Sequence, residues 1–207
     1  MLAQLRPAVT LLIAFTLLTG IAYPLAMTEV AQALFPAQAR GSLVEKDGVV
    51  VGSRLIGQGF AGEGYFRSRP SAAGNGYDAA ASSGTNLGPT SAKLAERLKT
   101  DAAALRGAGV EGQIPADAVT TSGSGLDPDI SPANALAQVA RIARARGVEE
   151  ALVRDLVTAH IEKRPLGVFG DPRVNVLALN IALDAAAPQA PGRPAPGEAA
   201  PATVSGS

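Results

Sequence analysis

The sequence predicts an α+β protein with one N-terminal transmembrane helix, a single soluble domain and a disordered Pro- and Ala-rich tail. Three observations lead to this class: an uncharged apolar run at residues 7–28, short strand and helix patterns at 41–184, and a proline-rich end at 185–207. Residues 1–6 are expected to form a cytoplasmic N-terminus, and residues 29–40 an exit segment. About 140 residues remain for the soluble domain, which is enough for one hydrophobic core.

The composition argues against several functional classes. The 207 residues include 18 basic and 18 acidic residues, with a formal net charge of zero and no Trp. Without a basic run or aromatic stacking platforms, no nucleic-acid partner is predicted. The absence of cysteine excludes disulfides, thiolate zinc sites and cysteine nucleophiles. A single histidine also argues against transition-metal catalysis, so no metal site is predicted.

The apolar run Pro7–Thr28 is predicted to be an uncleaved membrane anchor. It contains 22 residues without a formal charge, and as a helix it would span roughly 33 Å, enough to cross a bilayer. The interpretation as a buried core helix is disfavoured because the run is apolar on all sides. A cleaved signal peptide is also disfavoured, because the small-residue sites at 31–33 and 37–39 lie well beyond the apolar stretch.

Several positions of the anchor indicate orientation and contacts. Arg6 and the amino terminus favour an N-terminus inside the cell and a main domain outside it, although basic residues after the helix weaken this asymmetry. Thr16 and Gly20 form a small notch where another helix can approach closely, but small residues are common in any membrane span. Tyr23 suits the membrane interface, and Pro24 can bend the exit.

In the soluble domain, apolar spacing predicts short strands and about four helices. Strands are predicted at Val49–Val51, Leu55–Ile56, Tyr65–Phe66 and Val119–Thr121. Helices are predicted at Pro89–Leu105, Ala133–Arg146, Glu149–Ile161 and, in weak preference to a strand, from Asp171 to Asp184. The Gly-, Ser- and Pro-rich stretch 59–77 is expected to be an ordered loop on the domain.

The segment 119–132 combines glycines, two acids and a helix start. Its glycines can adopt positive φ, and Ser131 before Pro132 is typical of a helix N-cap. The two aspartates could offer oxygens to a hard cation, but aspartates beside proline more often shape turns. Asn86 is likewise interpreted first as a turn residue and second as a contact. The loop-shaping or partner-contact candidates in this segment are Ser122, Gly123, Gly125, Asp127 and Asp129.

No catalytic site is predicted. The spacing GxGxxG occurs at Gly57–Gly62, but no helix follows for about 25 residues, so a dinucleotide loop is disfavoured. A membrane-tethered hydrolase using Ser124 and His160 is a formal alternative. Neither Ser122 nor Ser124 lies in a GxSxG elbow, and His160 is better explained as a packing residue or one near a helix C-terminus. The cofactor-binding residues therefore stay unknown.

Long strings occur in a fixed order along the chain: GSRLIGQGF, YFRSRPSA, SGTNLGPT, SGSGLDPDISP and VNVLALN, preceded by RPA, YP, FP and GSL near the anchor. From the anchor to Asp184, they resemble the C subunit of the bacterial Kdp-type high-affinity potassium-transporting ATPase, the KdpC family. Arg69 and Pro70 lie within these strings and join the contact candidates. Gln138 joins them as well, because with the turn at 122–125 it is faintly similar to the ATP-contacting signature of ABC transporters.

The resemblance implies a non-catalytic, single-pass subunit of the bacterial inner membrane with a periplasmic domain. It implies assembly with a channel-like potassium-conducting subunit and a P-type ATPase subunit, which handle potassium and ATP. The family is described as needed for assembly and activity and as raising the ATP affinity of the catalytic subunit. A domain outside the membrane cannot touch cytoplasmic ATP, so this effect is expected to travel through the complex. The alternative is a membrane-tethered cation-binding module using Asp78, Asp127 and Asp129.

Overall fold

The computed structural model describes residues 2–188, so the predicted disordered tail lies outside the described residues from 189 onward. The structure confirms the α+β class, because one N-terminal apolar helix precedes a domain of short strands and several helices. The chain divides into two compact units, Met1–Leu43 and Val44–Ser207. The last helix of the second unit continues to Ala186, so the tail cannot begin at residue 185 as predicted.

The first unit consists mainly of helix α1, which spans Leu5–Leu34. Within residues 2–188 it is the one helix long and apolar enough to cross a membrane, and none of its most apolar window is buried. The helix extends past the predicted end at residue 28 because the next six residues, EVAQAL, mostly favour helix. It ends at Phe35, and the short helix α2, Pro36–Ala39, follows.

A π-helical turn at Leu18–Ala22 interrupts α1. Pro24 explains its position, because a proline has no N–H to donate and its ring clashes with the carbonyl four residues earlier, here that of Gly20. Thr19, within this widened turn, donates from Oγ1 to Phe15 O at 2.7 Å, so a side chain adds a hydrogen bond to the preceding turn. The predicted notch at Gly20 therefore lies in an irregular part of the helix.

Two short strands form a hairpin at residues 43–53, where the second unit begins. Strand β1 is Leu43–Lys46 and strand β2 is Val49–Ser53, and they pair with each other. Asp47 and Gly48 join them with φ values of 53° and 77°, the left-handed conformations that a two-residue type I′ turn requires. The predicted strand at Val49–Val51 is thus confirmed.

Three predicted strands are wrong. Leu55–Ile56 lies in a turn, where Ser53 Oγ accepts a hydrogen bond from Leu55 N at 3.2 Å. Tyr65–Phe66 is an irregular segment. Val119 is the last residue of a short helix, and Thr120 Oγ1 donates back to Ala116 O at 2.7 Å. Residues 119–121 therefore do not form a strand. In each case the β-favouring side chains have no neighbouring strand, and sheet propensity depends on that context.

The remaining elements are helices and one small sheet. The helices are α3 (Ala92–Gly107), α4 (Ala116–Val119), α5 (Pro132–Ala137), α6 (Val139–Arg146), α7 (Glu150–Ala159) and α8 (Val176–Ala186). Strand β3 (Asp129–Ile130) pairs antiparallel with β4 (Val174–Asn175). Ser131 caps α5 as predicted, since its Oγ accepts from Asn134 N at 3.1 Å.

Two predicted helices are altered by tertiary contacts. The helix predicted at Ala133–Arg146 is divided at Gln138, whose side chain bonds a neighbouring loop. The last helix begins at Val176 instead of Asp171, because residues 174–175 pair with β3 and Asn175 Oδ1 caps the helix by accepting from Ala178 N. Its helical character, preferred over a strand, is confirmed.

The hydrophobic core lies among α5 to α8 and the loop that contains Phe66. Its apolar side chains are fully or almost fully buried; the largest are Phe66, Ile142, Leu179, Leu183, Val139, Val153, Val157, Val174 and Val176. The glycine-rich loop 59–77 covers one side of this core, as the buried Phe60 and Tyr65 indicate. The core thereby fixes the loops that form the candidate site.

Candidate functional site

The turn at 122–125, called here the glycine–serine turn, is held against the segment 71–83. Ser71 Oγ donates to Gly125 O at 2.6 Å, and Ser83 N donates to Ser124 O at 3.0 Å. Gly125 has φ +68°, and a Cβ there would lie 2.6 Å from Ser83 O. Glycine is therefore required at position 125. Gly123 has open space around it, so the same requirement does not apply there.

Arg69 connects the loop 59–77 to the residues on both sides of the glycine–serine turn. Its Nη1 lies 3.0 Å from Asp127 Oδ2, and its Nη2 donates to Thr121 O at 3.3 Å. Its Nε donates to Thr120 O at 3.4 Å. The guanidinium thus holds two segments that are more than fifty residues apart in sequence. Two of the predicted candidates, Arg69 and Asp127, are in direct contact.

The two candidate aspartates are engaged with protein groups. Asp127 Oδ1 accepts from Asp129 N at 3.0 Å, while its other oxygen contacts Arg69. Asp129 receives Arg173 Nε at 3.1 Å and Asn175 Nδ2 at 3.1 Å. Burial raises the pKa of Asp129, and the hydrogen bond from Asn175 and the charge of Arg173 oppose this. These contacts make the pair suited to shaping the loop, whereas a cation would have to compete for the same oxygens.

Gln138 fixes the loop 59–77 from the opposite side. Its Oε1 accepts from Arg67 N at 2.8 Å and its Nε2 donates to Arg67 O at 3.1 Å, so one amide pairs with one backbone unit. Nε2 also donates to Asn134 Oδ1 at 3.0 Å. Asp117 completes the network by accepting from Asn134 Nδ2 and from both donors of Ser131. The polar atoms of Gln138 are therefore already used within the protein.

A cavity of about 490 Å³ lies beside Gln138, within the second unit. Its walls are mainly apolar and include Phe60, Pro70, Tyr77, Leu105 and Val110. Pro70 and Gln138 are the two predicted candidates that line it. The arrangement can accommodate an apolar group beside a few polar side chains.

Two cationic side chains, Arg67 and Arg141, border this cavity. Burial and, to a smaller extent, the charge of Arg67 lower the pKa of Arg141 to about 10, while the charge of Glu63 opposes the shift. Arg141 donates to the backbone carbonyls of Glu63 and Tyr65. It therefore helps to fix the loop 59–77, and two guanidiniums share the single nearby carboxylate of Glu63.

The other sequence candidates lie apart from this cluster. Thr16, Gly20, Tyr23 and Pro24 are exposed on α1, in the first unit. Asn86 has φ 52°, a left-handed conformation that asparagine tolerates better than most residues. Ser122 is partly exposed in the glycine–serine turn, with its Oγ 3.4 Å from Ser124 Oγ.

The alternative serine–histidine pair is not assembled. His160 terminates α7, and its Nδ1 lies 2.8 Å from Leu156 O. Ser124 Oγ accepts from Leu126 N at 3.1 Å. Across residues 2–188, no hydrogen bond joins His160 to Ser124, and no group of three or more His, Asp or Glu side chains is arranged to hold a metal ion.

Asn180 and Arg146 position the same loop but were missed as sequence candidates. Asn180 is fully buried, accepts from Phe66 N at 2.8 Å and donates to Phe66 O at 2.9 Å. Arg146 donates to Gly64 O at 2.7 Å and forms an ion pair with Asp184 at 2.8 Å. Asn180 could have been found from the sequence, because it is a polar residue on the apolar face of a helix. Nothing local distinguishes Arg146 from its neighbours.

These features define a class of protein: a chain with one helix of membrane-spanning length joined to a small α+β domain whose loops are fixed by buried polar side chains. The family model described as "K+-transporting ATPase, c chain" matches residues 5–185. The chain belongs to this family, KdpC, and so to the subunits of a potassium-transporting ATPase complex. The resemblance inferred from the sequence strings is confirmed.

Curated relatives agree over nearly the whole chain. The chain is 63% identical over 189 residues to the "Potassium-transporting ATPase KdpC subunit" of Caulobacter vibrioides, covering 91% of this chain and 96% of that protein. It is 58% identical over 195 residues to the protein of the same name from Methylorubrum extorquens, covering 88% and 97%. The protein of that name from Rhodopseudomonas palustris is 57% identical over 201 residues, covering 91% and 100%.

Proposed function

We propose that this chain is a non-catalytic, single-pass subunit of a potassium uptake ATPase in the bacterial inner membrane, needed for assembly and activity of the complex. Its partners are a channel-like potassium-conducting subunit and a P-type ATPase catalytic subunit. The observation that carries the proposal is α1, a 30-residue apolar helix whose most apolar window is wholly exposed. Such a surface requires lipid or another membrane helix to cover it.

The second unit supports a role through contact with neighbours. Arg69, Gln138, Asn180 and Arg146 use their side chains to fix the loop 59–77, so these polar groups serve the shape of the domain. A rigid, irregular surface suits recognition by partner subunits, because little ordering is needed on binding. The charge balance of the chain agrees with a contact that does not depend on a large net charge.

Co-purification from the native membrane tests the proposal. A tagged form of the full chain is extracted in mild detergent, and the associated proteins are identified by mass spectrometry. We expect two further subunits, one with several membrane helices that conducts potassium and one with ATPase activity. A tagged chain that is purified alone, from cells grown under potassium limitation, would contradict the proposal.

The proposed orientation has the N-terminus in the cytoplasm and the second unit in the periplasm. Because the chain has no cysteine, single cysteines can be introduced at Gln4 and at Lys93, both exposed. A membrane-impermeant maleimide added to intact spheroplasts should label the Lys93→Cys protein, and label the Gln4→Cys protein only after lysis. The reverse labelling would place the second unit inside the cell.

In this orientation, we propose that the chain increases the ATP affinity of the catalytic subunit indirectly. With the second unit in the periplasm, the chain acts on the cytoplasmic nucleotide site through the assembled subunits. Reconstituting the complex with and without this chain tests the effect, since the apparent KM for ATP should rise in its absence. An ATP analogue that photolabels this chain in sealed, correctly oriented vesicles would contradict the indirect route.

A further inference from the structure

An apolar loop projects from the second unit between α7 and β4. We call residues 165–170, with the sequence PLGVFG, the apolar tip. Leu166, Val168 and Phe169 are 88%, 71% and 62% exposed. Leu166 and Val168 are more exposed than any large apolar side chain of the membrane-length helix, where the highest value is 68% at Leu12. Exposed apolar clusters of this kind mark interaction sites.

The base of the apolar tip is braced by paired charges. Glu162 and Arg173 exchange two backbone hydrogen bonds, of 2.8 and 3.1 Å, and their side chains form an ion pair at 2.9 Å. One step closer to the tip, Arg164 Nη2 lies 2.8 Å from Asp171 Oδ1. These contacts hold the two ends of the loop together, so the apolar side chains stand on a fixed support.

The backbone of the tip also has a defined shape. Leu166 has φ 52°, followed by Gly167 at 76°. A leucine rarely adopts the left-handed conformation, so the rest of the turn must hold it there. Phe169 N and Val168 N both donate to Pro165 O, at 3.2 and 3.3 Å, which closes the turn. Insertion into lipid would not require such a fixed backbone, whereas a shaped pocket in a protein would.

We propose that the apolar tip inserts into an apolar pocket on another subunit of the same ATPase, outside the bilayer. The proposal rests on the proposed function, since that function provides the partner. Leu166, Val168 and Phe169 offer on the order of 400 Å², about half of the roughly 800 Å² per partner in a stable interface. The contact is therefore too small to hold two free proteins together, including two copies of this chain. It suits a partner that α1 already keeps nearby.

Charge at the base indicates the chemistry around that pocket. The carboxylates of Glu162 and Asp171 are taken by Arg173 and Arg164, whereas Lys163 has no carboxylate partner within the described part of the chain. Arg173 also contacts Asp129 at 3.1 Å, so the charges around the base balance, and the feature that distinguishes it is the unpaired ammonium group of Lys163. We expect acidic side chains at the rim of the partner's pocket, positioned to meet Lys163 while the apolar side chains enter the pocket.

Photo-crosslinking in the assembled complex tests where the tip lies. Benzoylphenylalanine replaces Phe169 in the full chain, and the complex is irradiated in native membranes before purification. A crosslink to another subunit of the ATPase is the expected result. Crosslinks only to lipid, only to a second copy of this chain, or to nothing would overturn the proposal.

A pair of substitutions measures what the contact contributes. Leu166→Ser combined with Phe169→Ser removes the apolar surface, and Leu55→Ser is the matched control because Leu55 is 61% exposed, close to the value for Phe169. We expect the double variant to dissociate from the complex at least about tenfold faster, as for loss of an aromatic anchor, with Leu55→Ser unchanged. Equal dissociation rates for both variants would overturn the proposal. If the unmodified chain brings no partner subunit at all, the proposed function fails first, and the tip proposal fails with it.

Discussion

Replacing the buried Asn180 by aspartate tests whether one side chain holds the loop at Phe66. The substitution Asn180→Asp keeps the size and shape of the group but removes the Nδ2 donor. Asn180 is fully buried, and Nδ2 donates to Phe66 O at 2.9 Å while Oδ1 accepts from Phe66 N at 2.8 Å. An ionised carboxylate would face the carbonyl oxygen of Phe66 without a hydrogen. A protonated carboxyl group would restore both hydrogen bonds.

The pH dependence of the variant follows from this geometry. Burial and the facing carbonyl raise the pKa of a carboxyl group by up to about 3–5 units, and each unit corresponds to about 1.4 kcal/mol. A rise of about three units gives a loss of about 4 kcal/mol in the free energy of unfolding at pH 7. The folded-state pKa is raised, so the loss is absent below the unfolded pKa near 4 and is complete above the folded pKa.

Thermal unfolding of the full chain in detergent, followed by circular dichroism between pH 4 and pH 8, measures this loss. For a chain of this length the Tm should fall by roughly 8–16 °C at pH 7 and return towards the wild-type value near pH 4. Asn86→Asp is the matched control, because Asn86 is not buried and aspartate also tolerates its φ of 52°. A Tm difference for Asn180→Asp that does not change with pH would refute the reasoning.

Three further substitutions test the candidate site. Gly125→Ala should lower the free energy of unfolding by about 2–4 kcal/mol, because φ is +68° there and a Cβ would lie 2.6 Å from a backbone oxygen. Gly123→Ala should change the same free energy by less than about 1 kcal/mol, because its Cβ would meet open space. Equal denaturant midpoints for the two would contradict this. Arg146→Met should lower the free energy of unfolding by about 3–5 kcal/mol, because Asp184, whose side chain is 12% exposed, loses its main cation. A Tm within about 3 °C of the wild-type value would contradict this. Asp127→Asn should lower the free energy of unfolding by about 1 kcal/mol and leave the apparent KM of the complex for potassium unchanged, because the partner of Asp127 is Arg69. A raised KM at normal subunit levels would favour the cation-binding alternative.

Local sequence signals were sufficient where the cap or turn is made by adjacent residues. Helix α7 begins and ends within two residues of its prediction, and Ser131 caps α5 as its position before Pro132 predicts. The strand predicted at Val119–Thr121 shows the limit of such signals. Its β-branched residues favour a sheet, but the partner strand needed to form one comes from elsewhere in the chain, and Thr120 instead bonds back to Ala116.

The candidate site could be predicted only in part, for a related reason. The need for glycine in the turn at 122–125 follows from the string itself, yet only the contact with Ser83 explains why position 125 and not 123 requires it. The pairing of Arg69 with Asp127 joins residues 58 apart, and neither residue differs locally from an ordinary surface charge. Asn180 was within reach of the sequence, because a buried position on an apolar helix face demands a hydrogen-bonding partner for an amide.

The way this domain fixes its loops affects how any assembly defect should be interpreted. The segment 64–69 has no strand partner, and side chains from α6 and α8, together with Gln138 between α5 and α6, bond its backbone where a neighbouring strand would otherwise do so: Arg146 at Gly64, Asn180 at Phe66 and Gln138 at Arg67. Loss of any one leaves backbone groups of this segment without their partners, at about 1–3 kcal/mol for each group that stays buried. A variant such as Gln138→Ala would therefore alter the surface near the cavity whether or not Gln138 belongs to an interface. Weakened assembly identifies a contact residue only when, as at the exposed apolar tip, the side chain has no buried partner to lose.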